Sequence, residues 1–250
     1  MLDDIFAAQI AGDAGRLLRG IQQDAAANEI GTRELKDHGD QASQAYLSRA
    51  LRAHRPDDAV LSEEAPDDLA RLSAERVWII DPLDGTREFS EGRNDWAVHV
   101  ALWERGRLST GAVALPGLGI VLSNADDAAQ WTRPATFRLA VSRSRATPLV
   151  TALAEELNAQ LVPMGSAGYK VAAVVRGEVD AYVHTGGQYE WDSAAPVAVA
   201  RAAGLFTSRV DGSPLAYNNE NPYLPDLVVS NPLIADEILD RIKHATERMQ

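Results

Sequence analysis

The sequence contains no cysteine among its 250 residues. This absence excludes structural disulfides, thiolate zinc sites, iron–sulfur clusters and cysteine nucleophiles. Long apolar runs are also missing, since no segment approaches the roughly 20 consecutive residues that a membrane-spanning helix requires. Residues 1–4 (MLDD) place no basic stretch ahead of an apolar segment, so they do not predict a signal peptide. We therefore expect a soluble, cytoplasmic protein that does not bind membranes.

Positive charge is scarce relative to negative charge. The chain has 24 Lys and Arg residues against 36 Asp and Glu residues, a formal net charge of −12 with histidine neutral. Such a chain repels nucleic-acid backbones and anionic lipid surfaces, so we expect neither as a partner. The same charge repels a small phosphorylated substrate unless a metal cation lies between the two.

The overall composition, with 46% hydrophobic and 24% charged residues, is that of an ordinary globular protein. The first half of the chain predicts two helices and a strand meander, and later short strands alternate with helices. This change of pattern places a boundary near residues 133–135. We expect an N-terminal α+β subdomain (residues 1–134) and a C-terminal α/β subdomain (residues 135–250). The predicted fold class is α/β, with helices layered on sheets.

The apolar periodicity predicts the individual elements. A first helix is expected over residues 2–27, although Gly12, Gly15 and Gly20 weaken it. A polar stretch follows, and a second helix is expected to begin near Asp40, a suitable N-cap, and to end at Pro56. Strands are predicted at residues 59–61, 77–80, 98–102, 108–115, 120–123, 139–141, 161–164, 179–183, 205–207 and 227–229, and further helices at residues 148–157, 168–176, 193–203 and 233–247.

The segment DPLDGT (residues 81–86) directly follows a short apolar strand. The strand delivers Asp81 at its carboxyl end, where the next residue, a proline, has no N–H to continue the ladder. Asp84 follows three residues later, close enough to share a metal ion with Asp81. The glycine after it lets backbone N–H groups approach an anion, and Thr86 adds a hydroxyl. These residue types also form ordinary turns, but two acids and a threonine at the mouth of a buried strand favour a functional site.

Three further acids lie at the ends of predicted elements. Glu63 belongs to the acidic segment SEE (residues 62–64) after another apolar strand, which taken alone is more typical of a solvated turn. Asp192 opens a helix of small apolar residues and could cap it by accepting backbone N–H bonds, a role compatible with metal ligation. Asp40 is either a helix cap or a base.

Carboxylate oxygens without accompanying histidine or cysteine suit Mg²⁺ rather than zinc. The five histidines show no paired ligand spacing, so we expect each on the surface or in the core rather than on a metal: His38, His54, His99, His184 and His244. The sequence therefore predicts a magnesium site built from acids.

Several other phosphate and hydrolase motifs are incomplete. Two residues separate Asp81 from Asp84, where the phosphatases that form an aspartyl-phosphate need one. In the segment GSAG (residues 165–168), a serine nucleophile elbow would need a glycine two residues before the serine, but Met164 occupies that position. GLG (residues 117–119) lacks the third glycine of a dinucleotide fingerprint, and there is no phosphate-binding P-loop.

In order along the chain, SEE (62–64), DPLDGT (81–86) and WD (191–192) resemble the motifs of the Mg²⁺-dependent, lithium-sensitive phosphatases of the inositol monophosphatase superfamily. The resemblance covers nearly the whole chain. Within the superfamily the sequence is most similar to the 3'(2'),5'-bisphosphate nucleotidases of the CysQ type. That narrower likeness rests on EF (88–89), SRS (142–144), GSAGYK (165–170) and WDSAAP (191–196).

The resemblance implies a five-layer αβαβα sandwich with the site between its two halves. It implies two or three Mg²⁺ ions, held by Glu63, Asp81, Asp84, Asp192 and the carbonyl of Leu83. Asp40 and Thr86 would activate the attacking water. The implied substrate-binding residues are Glu63, Gly85, Thr86, Ser142, Arg143, Gly165, Ser166, Lys170 and Asp192. For Lys170 the alternative is a solvated helix lysine.

The implied activity is hydrolysis of the 3'-phosphate of 3'-phosphoadenosine 5'-phosphate, or of its 5'-phosphosulfate analogue. The products would be AMP, or adenosine 5'-phosphosulfate, and phosphate. The acidic motifs do not choose among phosphate donors, so an inositol monophosphatase or a fructose-1,6-bisphosphatase is the alternative within the same reaction class. A different class would be an inactive Mg²⁺- and nucleotide-binding module. The expected partner is a small phosphorylated nucleotide or sugar, and the chain is expected to be a monomer or a homodimer.

Overall fold

The computed structural model describes residues 1–28, 31–126, 130–143 and 146–249. Its helices are α1 (Asp3–Ala27), α2 (Thr32–His54), α3 (Thr86–Ser90), α4 (Pro148–Leu157), α5 (Ala167–Val175), α6 (Glu190–Ala202) and α7 (Ala235–Met249). Its strands are β1 (Ala59–Ser62), β2 (Arg76–Asp84), β3 (Ala97–Glu104), β4 (Arg107–Leu115), β5 (Ile120–Ser123), β6 (Arg138–Ser142), β7 (Gln160–Met164), β8 (Ala181–Tyr189), β9 (Phe206–Ser208) and β10 (Tyr223–Ser230). Within the described ranges, no helix has both the length and the apolar character that crossing a membrane needs.

The strands form two five-stranded sheets. The first has the order β1-β2-β3-β4-β5, in which β1 and β2 are parallel and the remaining pairs are antiparallel. The second has the order β7-β6-β8-β10-β9, in which β6 runs parallel to both of its neighbours. The other pairs of the second sheet, those on either side of β10, are antiparallel.

Helices cover both faces of each sheet, which gives five layers. Helices α1 and α2 pack on the outer face of the first sheet around Trp78 and Ile80. Helices α5 and α6 lie between the two sheets, where Val171 and Val197 join residues such as Ile79 and Val229 from opposite sides. Helices α4 and α7 cover the outer face of the second sheet. The predicted αβαβα sandwich of the α/β class is confirmed.

Helix α1 is continuous despite its three glycines. A Cβ atom on Gly15 would lie 2.7 Å from Pro116 Cγ, and one on Gly12 would lie 3.2 Å from Val121 Cγ2. These glycines therefore let the helix approach the first sheet closely. The packing that results compensates for their weak helix propensity.

We expect Gly15→Ala to destabilise the protein by about 1–3 kcal/mol, because its methyl group would overlap the ring of Pro116. The matched control is Gly20→Ala in the same helix, where no atom of the described residues lies within 4 Å of the added methyl group. That variant should gain about 0.5–1 kcal/mol from the better helix propensity. Urea unfolding of the two variants measures both effects, and equal stabilities would contradict the packing argument.

The predicted start of the second helix was wrong. Helix α2 begins at Thr32, so Asp40 lies inside it rather than at its N-cap. The buried side of its first turns passes through Leu35, Gly39 and Ser43. Two of these residues are small and not apolar, so the hydrophobic periodicity did not extend over them.

The predicted end of the second strand was also wrong. Strand β2 continues past Pro82 to Asp84. The C-terminal strands and helices lie close to their predicted positions, although β8 is longer and runs on to Tyr189. The boundary near residues 133–135 stays a prediction, and Ser144 of the SRS segment lies outside the described residues.

Candidate metal and phosphate site

Two carboxylates of the site come from a bulge at the end of β2. Asp81 pairs with His99 and Asp84 pairs with Ala97, so β2 has one residue more than β3 between these pairs. The proline inside the bulge has no N–H to donate to the ladder, which fits a place where the pairing is interrupted. Asp81 Oδ1 accepts a hydrogen bond from Leu83 N at 3.0 Å. The bulge therefore sets the directions in which both acids project.

The third carboxylate comes from the start of α6. Asp192 is the third residue of this helix, and its Oδ2 accepts the backbone N–H of Tyr189 at 2.6 Å. The alternative that Asp192 is itself the N-cap is not observed, since Tyr189, three residues earlier, holds that place. The hydrogen bond still anchors the carboxylate. Ligand oxygens of Asp81, Asp84 and Asp192 all lie within 4.8 Å of one another.

This acidic cluster, Asp81 with Asp84 and Asp192, has the properties of a divalent-cation site. Asp81 is buried, and its Oδ2 has no hydrogen-bond partner in the described part of the chain. Burial and the neighbouring carboxylates raise the pKa of Asp81 well above its usual range. Burial and Asp84 raise the pKa of Asp192 to about 6. Crowded carboxylate oxygens of this kind fit a hard cation, which would neutralise them.

His99 is a residue of the site that sequence reasoning missed. It is buried in β3, with Nε2 3.1 Å from Asp84 Oδ2 and Nδ1 3.0 Å from the carbonyl oxygen of Trp191. Burial alone would raise the pKa of Asp84, but the charge of His99 and the N–H of Gly168 lower it below its ordinary value. His99 therefore positions one carboxylate of the cluster. No spacing signal marks it, because its partners lie on other elements.

Glu63 lies beside the acidic cluster rather than within it. It follows β1 and lines the same cavity as Asp84 and Asp192. The residue as a whole is exposed to solvent. Partial burial and the negative charges of Asp192 and Glu64 raise the pKa of Glu63 to about 7. Its predicted role as a metal ligand stays a prediction.

Asp40 in α2 lies close to Thr86, the last residue of the DPLDGT segment. Thr86 Oγ1 lies 3.5 Å from Asp40 Oδ1 and 3.2 Å from the carbonyl oxygen of Leu83. The contact depends on Gly39, because a Cβ there would lie 2.7 Å from the ring of Phe89 in α3. Burial and the charge of Glu64 raise the pKa of Asp40 to about 7.

Lys170 is not a solvated helix lysine. Its side chain is 4% exposed, and Nζ donates to the carbonyl oxygens of Gly165 and, at 2.9 Å, Ser166. Burial lowers the pKa of Lys170 to about 8. The ammonium group lies 5.1 Å from the ring centre of Tyr182. Lys170 and Gly165 line the same cavity as the acids.

The remaining predicted substrate residues are placed differently. Ser142 lines the cavity. Arg143 donates to Glu88 at 2.8 Å and to Glu91 at 2.9 Å, which commits its guanidinium to two carboxylates. Ser166 caps α5 by accepting the N–H of Tyr169. A substrate role for these residues stays a prediction.

The cavity beside the acidic cluster has a volume of about 610 Å³. Part of its lining is acidic and part is aromatic. The aromatic part comprises Tyr182, Tyr189, Trp191 and Tyr223. Sequence reasoning did not assign a role to any of these rings.

We expect the metal-free protein to lose stability as the pH rises. Glu63 and Asp192 have pKa values of about 7 and about 6, above those of an unfolded chain. The folded state therefore binds more protons than the unfolded state between about pH 4 and pH 7, and its stability falls as these protons leave. The lowered pKa of Asp84 acts in the opposite direction, but only at more acidic pH.

A bound divalent cation should prevent this loss of folding stability at higher pH. The rise in Tm on adding Mg²⁺ should be larger at pH 8 than at pH 6, by about 4 °C. Thermal unfolding in phosphate-free buffer after EDTA treatment measures both values. A Mg²⁺-induced rise that is equal at the two pH values would contradict the proposed link between these carboxylates and the metal.

Several known proteins are similar to this chain over most of its length. The model of the Inositol monophosphatase family matches residues 3–245. A Mycobacterium bovis protein named 3'-phosphoadenosine 5'-phosphate phosphatase is 49% identical over 243 residues, which cover 93% of this chain and 90% of the relative. The 3'(2'),5'-bisphosphate nucleotidase CysQ of Escherichia coli K12 is 30% identical over 198 residues, with coverage of 74% and 80%.

The solved structure of CysQ from Bacteroides thetaiotaomicron superposes with a TM-score of 0.78. It is 26% identical to this chain, and the match covers 92% of this chain and 97% of that one. Inositol monophosphatase II from Staphylococcus aureus has a TM-score of 0.80 at 18% identity, a likeness of fold alone.

Proposed function

The chain belongs to the inositol monophosphatase family, and from that premise we propose that it removes the 3'-phosphate of 3'-phosphoadenosine 5'-phosphate. The products are AMP and inorganic phosphate, and the 5'-phosphosulfate analogue reacts in the same way. The single observation that carries the proposal is the acidic cluster at the wall of a nucleotide-sized cavity. The name of the relative that is 49% identical supports the choice of substrate.

The residues that would hold the metal are those of the acidic cluster, with Glu63 and the carbonyl of Leu83 beside them. Oxygen-only donors favour Mg²⁺, and two or three ions would balance this many carboxylates. When bound, magnesium supplies Lewis-acid activation and neutralises charge on the phosphoryl group. The carboxylate of Asp84 is positioned for metal binding by the Gly168 N–H, which donates to it at 2.6 Å, and by His99.

Asp40 and Thr86 would move the proton of the attacking water. The Thr86 hydroxyl donates to Asp40 Oδ1 and offers a lone pair to one proton of the water. As the water oxygen attacks phosphorus, that proton passes to Thr86 Oγ1 while the hydroxyl proton passes to Asp40. The bond between phosphorus and the 3'-oxygen breaks in the same displacement, and the 3'-oxygen that leaves takes a proton from solvent water. A pKa of about 7 allows the Asp40 carboxylate to accept a proton near neutral pH.

The substrate would be held on both sides of the acidic cluster. The backbone N–H groups of Gly85 and Thr86 would bind oxygens of the phosphate that is removed. Lys170, with Ser142 and Gly165 on the same cavity wall, would lie near the second phosphate. Arg143 and Ser166 would act by fixing Glu88 and the start of α5.

Comparing turnover on three substrates tests the proposal. These are 3'-phosphoadenosine 5'-phosphate, inositol 1-phosphate and fructose 1,6-bisphosphate, each with Mg²⁺ and after EDTA treatment. We expect the nucleotide to have the highest kcat/KM, by at least about tenfold, and every rate to depend on the metal. A preference for inositol 1-phosphate or fructose 1,6-bisphosphate would replace the proposed substrate. Nucleotide binding without phosphate release would indicate an inactive binding module.

A further inference from the structure

We propose that Tyr189 and Tyr223 form a nucleobase-binding surface, which gives the enzyme its preference for a nucleotide over a phosphorylated sugar or cyclitol. This inference rests on the proposed function and names the part of the cavity that selects the substrate. Both rings are 45% exposed, and both line the cavity that contains Asp84 and Asp192. Exposed aromatic rings next to a phosphate site are suited to stack on a flat base.

The aromatic rings form a continuous wall. Tyr189 and Trp191 are stacked, with ring centres 4.8 Å apart and an interplanar angle of 9°. Tyr223 meets Tyr189 edge to face at 6.0 Å. Tyr223 can reach this place only because Gly187 has no side chain, since a Cβ there would lie 2.2 Å from Tyr223 Oη. The rings are therefore held in a defined arrangement although they face solvent.

The wall is tied to the acidic cluster through the backbone. The N–H of Tyr189 donates to Asp192 Oδ2 at 2.6 Å. The residue that supplies one ring thus also anchors a carboxylate of the proposed metal site. A substrate whose 3'-phosphate lies at the acidic cluster would place its base toward this wall, because both features line a single cavity.

A polar group on the same cavity wall is uncommitted. Gln188 is buried, and neither its side-chain oxygen nor its side-chain nitrogen has a hydrogen-bond partner within the described ranges. A glutamine amide offers one acceptor and one donor group, which match the hydrogen-bonding edge of adenine. Phosphorylated sugars and cyclitols have no flat face to cover the rings. The wall therefore favours a nucleotide.

Removing the aromatic faces one at a time tests the inference. The variants are Tyr189→Leu and Tyr223→Leu, which keep apolar bulk but not the ring, and Tyr189→Phe and Tyr223→Phe, which keep the ring. Two substrates are compared: 3'-phosphoadenosine 5'-phosphate and its abasic analogue, which carries the same two phosphates on a sugar without a base. Tyr169→Leu, in a different surface cavity, is the matched control.

We expect each leucine variant to lower kcat/KM for the nucleotide about tenfold, mainly through KM, and to change kcat/KM for the abasic analogue less than about twofold. The phenylalanine variants should keep most of the wild-type preference for the nucleotide. Equal losses on both substrates would overturn the inference, because the tyrosines would then only maintain the shape of the site. Unchanged nucleotide kinetics would also overturn it.

Equilibrium binding separates this inference from the proposed function. The affinities of adenosine 5'-phosphate and ribose 5-phosphate are measured by calorimetry with Mg²⁺ for the same variants. If the enzyme hydrolyses neither bisphosphate, the proposed function fails, and calorimetry still decides the inference. A wild-type preference for adenosine 5'-phosphate that the leucine variants lose would support the base-binding surface. No preference in the wild-type protein would overturn it.

Discussion

The Asp192→Asn variant should lose about a thousandfold in Mg²⁺-dependent phosphatase activity and remain folded. The amide oxygen of asparagine can still accept the N–H of Tyr189, so the start of α6 keeps its anchor. The variant lacks the negative charge that a divalent cation needs from this position. Burial and Asp84 raise the pKa of Asp192 to about 6, so its charge is a cost to the metal-free fold at pH 8. We therefore expect a metal-free Tm equal to or above that of the wild-type protein.

The measurements are kcat at saturating Mg²⁺ and Tm with and without Mg²⁺. Asp84→Asn should show a similar loss of activity, since Asp84 belongs to the same cluster. Asp180→Asn is the matched control, because Asp180 is buried to the same extent as Asp84 but pairs with Arg138 in the second sheet. It should keep activity within about threefold. Near-normal turnover by both cluster variants would refute the metal assignment.

The Thr86→Val variant should lose about a hundredfold in kcat at saturating Mg²⁺. Valine keeps the shape of threonine but cannot pass a proton between water and Asp40. The Thr86 hydroxyl has one proton to donate, to Asp40 at 3.5 Å or to the Leu83 carbonyl at 3.2 Å, and losing this hydrogen bond should cost about 1 kcal/mol in stability. The half-saturating concentration of Mg²⁺ should change little, because no carboxylate is removed.

Thr86→Ser is the control, since it keeps the hydroxyl and should retain most of the activity. Combining Thr86→Val with Asp40→Asn tests whether the two residues act as a unit. If they do, the double variant should be no slower than the slower single variant, because the single losses do not add. A Thr86→Val enzyme with wild-type kcat would remove this pair from the mechanism.

The acids of the site could be predicted from the sequence because each ends a local apolar pattern. A strand followed by DPLDGT, or a helix that begins with an acid, involves only residues that are close together in the chain. Such a pattern can therefore be seen in the sequence. The family was identified on these motifs and is confirmed. The five-layer arrangement that the resemblance implied is confirmed as well, because helices cover both faces of each of the two sheets.

The residues that were missed or misplaced depend on contacts between distant segments. The predicted start of α2 failed because Gly39 and Ser43 lie on its buried face without being apolar. From the sequence alone Lys170 could equally be a solvated helix lysine, yet its ammonium group donates to two carbonyl oxygens at the start of α5. His99 acquires its partners only when β3 packs between Asp84 and the start of α6.

The fold class and the acids available for a metal could be inferred from local periodicity and short motifs, and the family from the resemblance of those motifs. The approach of the oxygens to within 4.8 Å of one another depends on tertiary contacts, since Asp81 and Asp192 lie on different elements that meet where α6 packs against the first sheet. The aromatic wall beside them depends on tertiary contacts as well. Tyr189 and Tyr223 become neighbours through the antiparallel pairing of β8 with β10, a contact set by sheet register rather than by any signal near either residue.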